Sequence, residues 1–140
     1  MTKPRDRSKK QYEVLHHPPK IDPEDVLTFI ELDGFADDLA RLDLDEDDYR
    51  ALQILMMVQP LAPLIAGGGG LRKMRFAPLR WGTGKSGAAR VCYVYYPQWS
   101  VILLVLMYSK DEMDDIPAKQ LKAIRQTLVR VEAQLRKRYE

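Results

Sequence analysis

Residues 88–108 read AARVCYVYYPQWSVILLVLMY, and the fold turns on them. In the first half, Arg90, Cys92, Val94 and Tyr96 alternate with Val91, Tyr93 and Tyr95. That is the period of a strand, whose successive side chains point to opposite faces. The second half, VILLVLMY (101–108), is apolar without interruption, as expected of a central strand buried on both sides. PQWS (97–100) is a tight connection, which joins the two strands antiparallel. Upstream, LRKMRFA (71–77) alternates too, with Arg72, Met74 and Phe76 on one face and Leu71, Lys73 and Arg75 on the other. A glycine-rich turn over 78–88 links it to the next strand, so three strands form an antiparallel meander.

Working outward, VLTFIEL (26–32) has the β-branched and aromatic content of a fourth strand. DGFADDLARL (33–42) places Phe35, Leu39 and Leu42 at helical spacing. DEDDYRALQILMMV (45–58) predicts a second helix, its acidic first turn suited to the positive end of the helix dipole. Pro60 and Pro63 end it, and GGGG (67–70) interrupts regular structure. Asp115 is expected to cap a last helix, with Pro117 in its first turn, and Leu121, Ile124, Leu128, Val131 and Leu135 form its apolar stripe. The fold class is therefore α+β: an antiparallel sheet, the meander plus an N-terminal strand, packed with two N-terminal helices and a C-terminal helix. Residues 1–22 read as a flexible basic arm, and 23–140 as one domain with a modest core. His16–His17, at the arm's end, read as solvated residues with no partner to hold them.

Of the 140 residues, 46% are hydrophobic and 30% charged, the balance of a globular chain. No apolar run is long enough to cross a bilayer, and the basic first ten residues lack the apolar segment of a secretory signal. The single cysteine, Cys92, permits neither an internal disulfide nor a cysteine-cluster metal site. A reducing, cytoplasmic location is the expectation.

The formal net charge of +2 conceals segregation. Residues 21–50 are strongly acidic, yet from Ala51 to Lys110 there is no Asp or Glu. That stretch holds Arg72, Lys73, Arg75, Arg80, Lys85, Arg90 and Lys110. Such a block attracts a polyanion. GTGKSG (82–87) has the Gly-Lys-Ser of a phosphate loop, but position 79 is Leu where that loop needs glycine, and a strand follows instead of a helix. A nucleotide hydrolase is not the reading, although backbone N–H groups there can still form an anion nest. Acid–base enzymes show a His or a carboxylate near the site, and this segment has neither. Lys, Arg and Tyr alone suit a reaction on a phosphodiester, where cations neutralise charge building on the phosphoryl oxygens. RNA supplies its own nucleophile, the 2′-hydroxyl, so alignment can provide much of the rate and no metal or other cofactor is required. A lysine crowded by other cations has the depressed pKa of a base.

The ensemble G-L-R-K-M-R-F, the loop with G-K-S-G, A-R-V-C-Y-V-Y-Y and L-L-V-L-M-Y-S-K-D-E-M-D-D-I resembles the RelE superfamily of bacterial type II toxins, nearest its HigB-like branch. The resemblance covers about residues 26–135. It implies a small RelE-like fold and a ribosome-dependent mRNA endoribonuclease (an mRNA interferase), neutralised by a co-encoded helix-turn-helix antitoxin. Lys73 and Arg75 match the two basic positions on the first meander strand, Arg90 the arginine opening the next, and Lys85 the loop lysine. These four are the catalytic candidates. Lys110 matches the lysine of a Tyr-x-Lys-x-Glu segment, here Tyr108 to Glu112, and joins Arg72, Arg80 and Trp81 as RNA-binding candidates. Two positions depart from the better-known RelE branch: Asp111 stands where an arginine follows that lysine, and Ile116 near the place of a base-stacking tyrosine. Trp81 is then either the stacking ring, as suits single-stranded RNA, or an anchor for its loop.

Other readings of the same scaffold stay open at this point. One is a non-catalytic ParE-like gyrase poison, against which the cations at 73, 75 and 90 argue; another is a degenerate toxin that binds nucleic acid through its arm. The expected partners are a HigA-like antitoxin, the ribosome and mRNA, with no membrane.

Overall fold

The computed structural model describes residues 25–82 and 87–140. The arm over 1–22 and the histidine pair lie outside these described residues. The element order is β1 (Thr28–Glu31), α1 (Phe35–Arg41), α2 (Glu46–Val58), β2 (Arg72–Phe76), β3 (Ala89–Tyr96), β4 (Val101–Tyr108) and α3 (Ala118–Tyr139). The architecture is α+β, one four-stranded sheet of spatial order β1-β4-β3-β2 with three helices.

The meander forms as its periodicity predicts, β2 antiparallel to β3 and β3 antiparallel to β4. β1 differs. It pairs with β4 in parallel, Thr28 opposite Val101 and Glu31 opposite Leu104, so the sheet is mixed and not antiparallel throughout. A parallel neighbour needs a crossover between the strands, and α1 and α2 lie on that path. β4 becomes an inner strand with a neighbour on each side, which is why its run is apolar on both faces.

Each face of the sheet has its own core. Phe35, Leu39, Leu52 and Met56 of α1 and α2 pack with Met74, Phe76, Val91, Tyr93, Ile102 and Leu104. On the other face, Leu128 and Leu135 of α3 pack with Leu71, Cys92, Val94, Tyr96, Leu103 and Tyr108. Leu121, Ile124 and Val131 complete the α3 stripe, half-buried against that second cluster. Among the described residues, no helix is long and apolar enough to cross a membrane.

The helix starts follow local chemistry. Asp45 and Asp48 close a reciprocal capping box at α2, each carboxylate accepting from the other's backbone N–H, at 2.9 and 2.8 Å. α3 corrects the expectation for Asp115. Pro117 itself is the N-cap, extended at ψ 146°, and no side chain caps the helix. Asp115 therefore lies two residues outside it, beyond reach of the first-turn amides, and turns to Lys73 instead, 3.6 Å away. The glycine run sets the entry to β2. Gly67, Gly69 and Gly70 all have positive φ, and a Cβ on Gly69 would meet Arg125 of α3 at 3.3 Å. The Arg125 guanidinium donates to the Gly67 carbonyl at 2.7 Å, pinning the turn to the helix.

Candidate nucleic-acid interface

The strand registers arrange the basic residues of β2 and β3 in rows. Arg75 stands directly opposite Arg90, and Arg90 directly opposite Tyr108, giving one row across three strands. Lys73, Cys92 and Leu106 form the row beside it. Directly paired positions hold their Cβ atoms about 5 Å apart. Leu71, Cys92 and Tyr108 belong to the α3-side core, and strand alternation puts Lys73, Arg75 and Arg90 on that same face.

Tyr108 reaches this face through an irregularity in β4. Cys92 pairs with Leu106 and Tyr93 with Leu104, so Val105 has no partner on β3. Counting by twos from Val101 would send Tyr108 to the opposite face. The extra residue reverses the alternation beyond Leu104, and Tyr108 comes up beside Arg90.

Electrostatically the row is unbalanced. Like charges opposed on adjacent strands repel. Among the described residues, neither Arg75 nor Arg90 has an ion-pair partner. Arg75 is exposed, whereas Arg90 is 8% exposed and donates to the carbonyl of Ala88 on its own chain. Lys73 has the Asp115 contact, but that carboxylate is 87% exposed and 3.6 Å is long, so it is a surface pair of little energy. The buried thiol and phenol of this face keep their protons. Burial pushes the Cys92 thiol up to about 12, against the opposing influence of Lys73. Burial first, then the neighbouring Cys92 and the Asp115 carboxylate, push Tyr108 up to about 12, with Arg90 working against them.

The remaining candidates separate from this cluster. Arg72 points to the other face and donates to the Ala62 carbonyl at 2.7 Å. Arg80 forms an ion pair with the buried Asp48 at the start of α2 and donates to the Asp43 carbonyl at 2.7 Å. Trp81 is half-buried against the α1/α2 core, the anchoring role. Lys110 is exposed in the turn after β4, with no hydrogen-bond or ion-pair partner among the described residues. Lys85 lies outside the described residues. Glu112, two residues on from Lys110, tethers this turn: it accepts from Arg41 at 2.6 Å and from the Ser109 N–H at 2.9 Å. Sequence reading missed Tyr108 as part of the face, because an unbroken apolar run does not show where its alternation reverses. It missed Asp115 as a neighbour of Lys73 by assigning it to the helix.

The arrangement is a cationic shelf on one face of the sheet, with a guanidinium pair at its centre and an amine beside it. Its chemistry is that of binding an anion with several oxygens. No family model matches the chain.

Proposed function

We propose that this chain is the toxin of a type II toxin–antitoxin pair, a ribosome-dependent mRNA endoribonuclease that inhibits translation. The observation that carries the reading is the Arg75–Arg90 opposition without a carboxylate on either. Two unneutralised arginines on directly opposed strand positions repel, and a bound phosphodiester would relieve the repulsion. The resemblance of residues 26–135 to RelE-like toxins supports the same reading.

In this reaction the RNA 2′-oxygen attacks the adjacent phosphorus. A 2′-O–P bond forms, the P–O5′ bond breaks, and the 2′-proton leaves while the 5′-oxygen gains one. The products are a 2′,3′-cyclic phosphate and a 5′-hydroxyl. Arg75 and Arg90 neutralise the charge that grows on the non-bridging oxygens. Lys73, on the neighbouring row, assists removal of the 2′-proton, and Lys110 holds the strand. The nucleophile is part of the substrate, so alignment by the cations carries much of the rate. An antitoxin that silences the protein would cover this face with acidic and apolar groups.

The test is induced expression of the chain alone in a bacterial host, with new mRNA 5′ ends mapped across the transcriptome. Wild type should stop growth and create 5′-hydroxyl ends inside translated frames. Arg90→Ala should do neither while remaining folded. A folded Arg90→Ala that is equally toxic would refute the assignment. Growth arrest with a DNA-damage response and no new ends would identify a gyrase poison instead.

A further inference from the structure

Among the described residues, the Tyr108 hydroxyl is the one buried side-chain oxygen or nitrogen without a hydrogen-bond partner. The residue is 3% exposed. A buried hydroxyl left unpaired costs free energy that a phenylalanine would not, so its presence calls for a reason. The Cys92 thiol is beside it, but sulfur is a weak partner, and Arg90 and Asp115 act on it only through their charge.

Its position supplies the reason. Tyr108 is directly opposite Arg90, which is directly opposite Arg75, and all three rise from one face of the sheet. The hydroxyl ends a row of two guanidiniums. The unpaired residue Val105 is what turns it to this side. Raised to about 12, Tyr108 keeps its proton at neutral pH and acts as a donor, not a base.

We infer that Tyr108 contacts the RNA, its hydroxyl donating a hydrogen bond to a non-bridging oxygen of the phosphodiester held by Arg75 and Arg90. This rests on the nuclease reading of that face. Of the two charged side chains that act on Tyr108, Arg90 is buried and Asp115 is exposed, so a ligand would approach from the Asp115 side. Asp115 is close enough to act electrostatically on Tyr108 and also contacts Lys73 at 3.6 Å. Its carboxylate stands among the same groups that a phosphate would meet, and its exposed pair with Lys73 yields to a more highly charged ligand. The connection that bears it, from Ser109 to Pro117, rests on the Tyr108 core through Met113 and Ile116.

The test compares full-length wild type with Tyr108→Phe in three measurements: thermal melting, binding of a fully 2′-O-methylated single-stranded oligoribonucleotide at low salt, and cleavage of mRNA on ribosomes. The methylated strand offers the phosphates but no nucleophile. Tyr108→Phe should melt at the same temperature or higher, bind the probe about tenfold more weakly and cut about a hundredfold more slowly. Binding and cutting at the wild-type level would overturn the inference, as would a lowered melting temperature, which would make the hydroxyl a structural one. If wild type binds the probe without cutting mRNA, and Tyr108→Phe still weakens binding, the nuclease reading falls while the phosphate contact stands. If wild type does not bind the probe at all, both fall.

Discussion

Tyr93 and Tyr108 are buried on neighbouring strands, on opposite faces of one sheet. The Tyr93 hydroxyl donates to the Pro60 carbonyl at 2.8 Å and accepts from the Ala62 N–H at 3.2 Å. The Tyr108 hydroxyl has no such partner. The arginines divide the same way. On the α1/α2 side, Arg72 is tied to Ala62, Arg80 to Asp48 and Asp43. On the α3 side, Arg75 and Arg90 face each other without a carboxylate. The arginines of the α1/α2 side hold segments of the chain together, whereas the Arg75–Arg90 row on the other face has no carboxylate to neutralise it.

Charge reversal should separate the two faces most strongly. Arg75→Glu would pair with Arg90 and restore the balance that a structural face should have had. It should lower cleavage by more than about a hundredfold while leaving the melting temperature unchanged or raised. Arg80→Ala should do the reverse, costing stability at the start of α2 with cleavage retained. A folded, inactive Arg80→Ala would show that the two faces do not divide function as their partners suggest.

Next in size is Tyr93→Phe. It strands a half-buried N–H and a half-buried carbonyl, so denaturant unfolding should show a loss of about 0.5–1.5 kcal/mol. The contrast with Tyr108→Phe is the sharper result, since the same atom is removed from two buried tyrosines with opposite expected effects on stability.

The smallest effect is expected at Asp48. Burial works to raise its pKa, but the Arg80 hydrogen bond, the Asp45 amide and the Arg80 charge outweigh it, and the net value is lowered from 3.8. The folded-state value lies below the unfolded one. Its contribution to stability is therefore complete above the unfolded pKa and is lost as pH falls through the lower native value. Asp48→Asn should be less stable than wild type at neutral pH, with the gap narrowing as pH falls below the ordinary carboxylate value of 3.8. A gap that stays constant with pH would mean that the carboxylate's charge contributes nothing.

Much of the fold was legible in the sequence because periodicity and end signals agree. The alternation at 71–77 and 88–96, the apolar run at 101–108 and the α3 stripe each name one element type. The parallel pairing of β1 was not legible. A strand of four residues, two exposed and two half-covered, carries no mark of which neighbour it will find or in which direction. For the candidate site, the basic positions of β2 and β3 could be placed on one face by counting in twos, which is why Lys73, Arg75 and Arg90 come together. Arg72 and Arg80 share their chemistry, and only tertiary contacts distinguish an arginine that ties down a loop from one left open. Asp115 read as a cap because Asp before Pro is a helix-start signal, and the chain's turn towards Lys73 depends on the sheet beneath it.

Of the four described strands, the inner strand β4 is the last to leave the ribosome during synthesis. It holds β1 on one side and β3 on the other. A nascent chain that stops before Val101 has nowhere to dock β1, and lacks Tyr108. β1 must wait until some seventy further residues have been translated before its partner exists. Long-range pairing of this kind is slow to form. A protein whose proposed target is the translating ribosome thus completes its sheet only once β4 has been made, and fragments that stop before it lack the strand that joins β1 to β3.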